Sequence, residues 1–191
     1  MEGNSIPVQL LGDSFASRFL NYIQQFNIPH QLLCPASIAI SGAKVEDIKQ
    51  ALKANNHNLV PTVPTLIFIG CNHIKQGLDL QHFKNQFLSL IKLLHKKYPN
   101  MGLLIAQLPI YARFANNPQL VQQIATVNKF FLTLQSNLVK VLRLPDQFSQ
   151  PSMFQKTYRN SNRPDNIHFN NTAHALLEPL VANALNAFTI Q

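Results

Sequence analysis

Short apolar runs alternate along the chain with longer segments whose apolar residues recur at helical spacing. The runs are apolar throughout rather than alternating, which is typical of parallel strands covered on both faces. Strands are predicted at 6–11, at 32–40 with a break after residue 34, at 66–69, at 103–106 and at 139–142. Helices are predicted from about residue 15, and over 45–54, 78–98, 118–138 and 172–188. This order predicts an α/β three-layer sandwich with a mostly parallel sheet of about five strands.

Polar residues follow several of these strands, at the sheet edge where ligands of such folds bind. Ser14 stands between the first strand and its helix, where free N–H groups and the helix dipole favour a developing negative charge. Asn72 follows the third strand, where its amide can act as an oxyanion donor. Each signal has an ordinary alternative, because Ser14 alone fits a helix N-cap and Asn72 alone fits a turn.

Two further segments add to this pattern. Gly42 follows the second strand, where glycine lets a backbone N–H approach a ligand or simply makes the turn. Asp165 precedes His168 by three residues, directly before the last helix. That spacing lets the carboxylate accept from one imidazole nitrogen and leaves the other free as a base, although an exposed loop pair is an equal alternative in isolation. The conjunction of all four segments favours a single site.

Together the segments resemble a known family. Gly12-Asp13-Ser14, Gly42, Gly70-Cys71-Asn72 and Asp165-Asn166-Ile167-His168 are similar, in order and spacing, to the four blocks of the SGNH hydrolases, also called GDSL esterases and lipases. The resemblance extends from Ile6 to about Leu185. It implies the flavodoxin-like sandwich of that family and a single domain over residues 1–191.

The resemblance also implies a site. Ser14 would be the nucleophile, His168 the general base and Asp165 the residue that orients it, and the oxyanion hole would consist of the backbone N–H groups of Ser14 and Gly42 and the side-chain amide of Asn72. The implied reaction is hydrolysis of a carboxylic ester through an acyl-enzyme, with no metal or organic cofactor. Small-molecule, lipid and acetylated-sugar esters all stay open as substrates, and residues 109–117 and 146–163 are expected to shape the acyl pocket.

Three residues near these blocks need separate interpretation. Cys71 stands where relatives usually have a small polar residue, and His73 stands where many have an aspartate. His73 is expected to have a hydrogen-bonded structural role, with a second titrating group in the cleft as the alternative. His174 is expected to face solvent or to pack on the last helix.

Composition adds a second hypothesis. The chain has 191 residues, 16 Lys+Arg against 8 Asp+Glu, a net charge of +8 and 46% hydrophobic residues. The apolar fraction excludes a disordered chain, and the basic balance favours polyanionic partners, whether nucleic acid, anionic lipid or an acidic protein. Some SGNH-like domains bind RNA and lack the catalytic residues. The alternative function is therefore a binding module for RNA or another polyanion, with weak or no hydrolase activity, using Lys156, Arg159 and Arg163.

Cysteine usage and the chain start predict a compartment. Cys34 and Cys71 have no paired metal-ligand spacing and are expected to be free thiols of a reducing compartment. Nothing resembles a secretory signal, and no apolar stretch approaches the about 20 residues of a transmembrane helix. A soluble, cytoplasmic protein is expected; secretion after removal of a presequence and the oligomeric state stay open.

Overall fold

Strands and helices alternate along the residues that the computed structural model describes, which are 5–25, 30–54, 59–158 and 162–188. The strands are β1 (Ile6–Pro7), β2 (Gln9–Gly12), β3 (Leu32–Leu33), β4 (Ser37–Ala39), β5 (Thr65–Phe68), β6 (Leu103–Ala106) and β7 (Val139–Leu142). The α-helices are α1 (Ser14–Ile23), α2 (Val45–Lys53), α3 (Cys71–Lys75), α4 (Leu80–Lys97), α5 (Pro118–Leu132) and α6 (Asn171–Asn186). Within these ranges, no helix combines the length and apolar character needed to cross a bilayer.

The main sheet has five parallel strands in the order β4-β2-β5-β6-β7. Its central strands β2, β5 and β6 are buried along their whole length, and their sequences are apolar except for Gln9 and Thr65. Helix α1 packs with α6, while α2 packs with α4 and α4 with α5. The predicted three-layer sandwich with a five-stranded parallel sheet is confirmed. The strand order reverses at β2, which places a topological switch point beside its carboxyl end.

Several predicted boundaries were wrong. The first predicted strand divides into β1 and β2, because β1 pairs with β3 in a small parallel sheet outside the main one, whereas the predicted break in the second strand does separate β3 from β4. The predicted helix over 118–138 ends at Leu132. Beyond it the chain forms a turn that leads into β7, because the Ser136 N–H donates to the Val139 carbonyl and the Val139 N–H donates to the Ser136 hydroxyl. The helix α3 was not predicted at all. The expected loop 146–166 contains two short 3-10 helices, Asp146–Ser149 and Pro151–Met153, and its residues 159–161, including Arg159, lie outside the described residues.

Candidate active site

The turn between β2 and α1 places Ser14 as the first residue of the helix. The Asp13 carboxylate caps α1 by accepting from the Phe15 N–H at 3.0 Å. Burial raises the pKa of Asp13 to about 7. Gly12 is required by close packing, since a Cβ there would lie 2.1 Å from the carbonyl oxygen of Phe68 on β5. The sequence therefore fixes Ser14 at the carboxyl edge of the sheet, with unpaired helix N–H groups beside it.

His168 lies directly against Ser14, although 154 positions separate them along the chain. The Ser14 Oγ and the His168 Nε2 are 2.8 Å apart. The His168 Nδ1 lies 2.8 Å and 2.9 Å from the two carboxylate oxygens of Asp165. The three predicted residues are thus joined in series by hydrogen bonds. Phe15 packs against the imidazole, with ring centroids 5.5 Å apart.

The contacts with Asp165 determine which tautomer a neutral His168 imidazole adopts. Burial alone would raise the pKa of Asp165, but the hydrogen bonds from the side chain and backbone of His168 outweigh it and lower that pKa. An ionised Asp165 accepts from Nδ1–H, so the neutral imidazole presents a lone pair at Nε2 to the Ser14 hydroxyl. This is the tautomer that a general base requires.

The turn from Asp165 to His168 is shaped locally. Asn166 has a φ of 51°, a left-handed conformation that asparagine tolerates better than most residues. The turn lets Asp165 Oδ1 accept from the backbone N–H groups of Ile167 and His168, both at 3.2 Å. The Asp165 side chain is fully buried. The same carboxylate therefore holds both the turn and the imidazole.

Sequence reasoning missed Arg18 and Gln155. Arg18 lies one helical turn after Ser14, and its guanidinium lies 3.6 Å from Asp165 Oδ2 and donates to the Gln155 side chain. Gln155 also donates its backbone N–H to the His168 carbonyl at 2.8 Å and accepts from the Asn166 N–H at 2.8 Å. Arg18 thus connects the helix that carries Ser14 to the segment that carries Asp165 and His168.

Asn72 and Gly42 lie on neighbouring loops. The Asn72 side-chain amide donates to the carbonyl of Ala43 at 3.0 Å, which ties α3 to the loop after β4. An amide nitrogen has two hydrogens, so a second donor is left for a ligand. Gly42 is exposed with a φ of 80°, and a Cβ there would meet nothing within 4 Å. These contacts place Gly42 and Asn72 together, and their roles as oxyanion donors stay predictions.

The two departures from the SGNH pattern are structural. Burial raises the pKa of the Cys71 thiol to about 12, so the thiol stays protonated near neutral pH. His73 is buried, with its Nε2 3.2 Å from Glu46 on α2 and its ring packed edge-on against Phe83. Burial lowers the pKa of His73 more than Glu46 raises it. His73 therefore has the hydrogen-bonded packing role that was expected.

The metal-ligating side chains and His174 complete the description of the site's surroundings. Across the described ranges, no cluster of three or more His, Cys, Asp or Glu side chains has metal-ligand geometry. Cys34 and Cys71 are both free thiols. His174 lies on α6, the last helix, and is buried against Phe19 of α1. Of the two expectations for this residue, packing is therefore correct and solvent exposure is wrong.

Solved structures with similar folds identify the fold. A GDSL-like lipase from Bacteroides thetaiotaomicron matches with a TM-score of 0.66 at 14% identity, over 97% of this chain and 88% of that one. A member of the lipolytic G-D-S-L family from Veillonella parvula matches with a TM-score of 0.63 at 16% identity, over 98% and 100%. At such identities the likeness shows the fold alone. The chain has an SGNH-like fold.

A narrower family follows from the sequence. The family model of the OSK domain matches residues 1–160, and the chain therefore belongs to the OSK domain family. The crystal structure of the OSK domain of Drosophila Oskar matches with a TM-score of 0.71 at 18% identity, over 92% of this chain and 86% of that one. The family match includes Ser14, Gly42 and Asn72 and ends before Asp165 and His168. Comparison with curated protein sequences gives no significant match.

Proposed function

We propose that the protein is a serine esterase that hydrolyses a carboxylic ester through Ser14, His168 and Asp165. The observation that carries the proposal is the pair of contacts at His168, 2.8 Å from Ser14 Oγ on one side and 2.8 Å from Asp165 Oδ1 on the other. A nucleophile, a base and a residue that orients the base, each within hydrogen-bond reach of the next, are what nucleophilic catalysis by serine requires.

In the first step, His168 Nε2 removes the Ser14 hydroxyl proton while Oγ forms a bond to the ester carbonyl carbon. The carbonyl oxygen becomes an oxyanion, stabilised by the N–H groups of Ser14 and Gly42 and the amide of Asn72. Asp165 stabilises the imidazolium that forms. The oxyanion then collapses, the bond to the alkoxy oxygen breaks, and the alcohol leaves with the proton from His168.

In the second step, His168 removes a proton from water, and the resulting oxygen nucleophile attacks the acyl carbon bound to Ser14 Oγ. The second tetrahedral oxyanion occupies the same hole. The bond from carbon to Oγ breaks, the proton returns to Ser14, and the carboxylic acid is released. Water is the only co-reactant, and the enzyme returns to its starting state.

Hydrolysis of p-nitrophenyl acetate by the wild type and by Ser14→Ala tests the proposal. The variant should lose more than about 10³-fold in kcat, because no other group replaces the nucleophile. Ser89→Ala, on α4 in the other helix layer, is the matched serine control and should keep wild-type activity. Mass spectrometry after reaction with an alkyl fluorophosphonate should find the adduct on Ser14 and not in His168→Ala. Equal rates for wild type and Ser14→Ala would refute the proposal.

A second candidate function, binding of single-stranded RNA, is favoured by a basic cleft next to His168. Arg113, Tyr158 and Arg163 line this open cleft of about 770 Å³. The Tyr158 ring packs edge-on against His168, with centroids 5.8 Å apart. Guanidinium groups contact phosphates and an aromatic ring stacks on bases, so the combination suits a single-stranded chain. Lys156 is exposed nearby and adds to the positive charge.

Fluorescence anisotropy with labelled single-stranded RNA at several salt concentrations tests this candidate. Binding should weaken with salt, and Arg113→Gln with Arg163→Gln should reduce the slope of log affinity against log salt by about 1.4, for two lost phosphate contacts. Lys92→Gln with Lys96→Gln, on the exposed side of α4, removes the same charge elsewhere and should change the slope less. Absence of binding at low salt would eliminate RNA binding and leave the esterase proposal standing.

A further inference from the structure

A polar groove runs from Ser14 along the solvent side of α1. Its volume is about 230 Å³. Ser17 and Asn21 on α1 line it with Gln25 just beyond the helix, and Gln155 and Asn171 contribute to the lining. Every residue that lines the groove carries a hydroxyl, amide, guanidinium or imidazole group. Because the groove begins at the Ser14 hydroxyl, one half of any ester attacked there would lie along it.

The lining excludes a long acyl chain from this groove. An apolar chain gains free energy on burial only where it leaves water for apolar surface, and the surface of this groove is mostly polar. The protein does have a more apolar cavity of about 400 Å³, lined by Ile6, Leu138, Leu185 and Phe188. That cavity lies at the opposite end of the sheet, next to the start of β7, and does not reach Ser14.

The charge in the groove is already compensated. Arg18 supplies its only guanidinium, which donates to Gln155 and pairs with Asp165 at 3.6 Å. An anionic ligand would therefore compete with the Asp165 carboxylate for Arg18. Burial, with a smaller contribution from Arg18, lowers the pKa of His174 to about 4, so its imidazole is neutral near pH 7.

The remaining groups suit an uncharged, hydroxyl-rich ligand. Hydroxyl and amide side chains each donate and accept, as the hydroxyl groups of a sugar or polyol do. His174 lies in the groove lining with 3% of its surface exposed, and its Nδ1 has no hydrogen-bond partner among the described residues. The volume is below the roughly 300–1,000 Å³ of pockets for drug-sized ligands, which limits the ligand to about one monosaccharide.

We propose that the groove along α1 binds the hydroxylated alcohol half of the substrate, a sugar or short polyol. The assignment of this half to the reaction rests on the proposed esterase function. Binding of the alcohol half itself does not need catalysis, so the two proposals can be tested apart.

Kinetics with substrates that share the acetyl group tests the subsite. Wild-type kcat/KM for 6-O-acetylglucose or for monoacetylglycerol should exceed that for hexyl acetate at least about tenfold, and the better of the two identifies the sugar or the polyol. The double variant Asn21→Leu with Gln25→Leu should lose about tenfold for the preferred substrate, as expected for two ordinary hydrogen bonds. The loss with p-nitrophenyl acetate should be smaller, because its alcohol half carries no hydroxyl groups for these amides to bond. Gln24→Leu, the exposed neighbour outside the groove, is the matched control.

Binding of the acetylated sugar or polyol to the Ser14→Ala variant, measured from amide chemical shifts in NMR, separates the subsite proposal from the esterase proposal. Saturable shifts along α1 with 6-O-acetylglucose or monoacetylglycerol at millimolar concentration, weakened by the double variant, support the subsite even if the wild type hydrolyses nothing. The absence of such shifts with both ligands would overturn it. So would a wild-type enzyme that hydrolyses hexyl acetate as fast as the acetylated sugar and polyol. Absence of Ser14-dependent hydrolysis overturns only the esterase proposal.

Discussion

Replacing His174 by phenylalanine should make the free energy of unfolding fall less steeply as the pH is lowered below neutral. His174 packs between the rings of Phe19 and Tyr22, with centroid distances of 5.9 Å and 5.4 Å. Burial is the main cause that lowers its pKa, and the charges of Arg18 and His168 add to it. The folded protein therefore resists protonation of this imidazole, whereas the unfolded chain does not.

The magnitude follows from the two pKa values, which are about 4 in the folded state and 6.5 in the unfolded state. Between these values the unfolded state binds more protons, so the free energy of unfolding decreases as the pH falls from 6.5 towards 4. At about 1.36 kcal/mol for each pKa unit, this one side chain should cost about 3 kcal/mol of stability by the end of that range. Above the unfolded-state value the penalty is absent.

Urea denaturation of wild type and His174→Phe at neutral pH and at pH 4 measures the effect. Subtracting the two proteins cancels the acid response of all other groups, so the wild type should lose about 3 kcal/mol relative to the variant between the two conditions. Any overpacking by the phenylalanine ring adds an offset that does not depend on pH. His174→Gln should show the same pH dependence with a different offset. A difference between wild type and variants that stays constant with pH would refute the reasoning.

Four other substitutions have expected outcomes. Asn72→Ala should lower kcat for p-nitrophenyl acetate by about 10²- to 10³-fold, and an unchanged kcat would exclude Asn72 from the oxyanion hole. Gly42→Ala should lower the free energy of unfolding by only about 1–2 kcal/mol in urea denaturation, because its φ is unfavourable but its Cβ meets no atom. Gly12→Ala should lower it clearly more, because the Cβ would clash with β5. Equal losses for the two variants would contradict this reasoning. Arg18→Leu should lower the free energy of unfolding by about 1–3 kcal/mol at neutral pH, since the buried Asp165 loses its ion pair. This loss should shrink below pH 3.8, where Asp165 takes up a proton in the unfolded chain; a loss that is independent of pH would argue against the ion pair.

The sequence predicts those parts of the fold and site that have short-range signals. Each central strand is a short apolar run, and Ser14 and Asn72 come within a few residues of a strand end. The carboxyl ends of parallel strands meet at one edge, so their convergence followed from the fold class. The spacing of three residues allowed the Asp165–His168 pairing, with an exposed loop pair as an equal alternative. Its placement against Ser14 was an expectation from the family resemblance, and the distance of 2.8 Å agrees with it.

What the sequence could not predict depends on distant contacts. Arg18 is one polar residue on the exposed side of an amphipathic helix, and nothing near it in the chain identifies Asp165 as its partner. The division of the first apolar run into β1 and β2 has a similar cause, because an apolar run does not reveal which neighbouring strand it pairs with. The polar groove also depends on residues from α1, α6 and the segment before His168, which come together only in the folded chain.

The turn that carries Asp165 and His168 is tied to the segment before it by main-chain hydrogen bonds. Backbone hydrogen bonds join Gln155 to His168 and Asn166, and Met153 to Asn170. Such bonds do not depend on which side chain occupies position 168. In evolutionary terms, one substitution there would end the proposed chemistry while the sheet, the groove and the basic cleft all persist. Very few substitutions would therefore convert the proposed enzyme into a binding protein, and the conversion would need no change of fold.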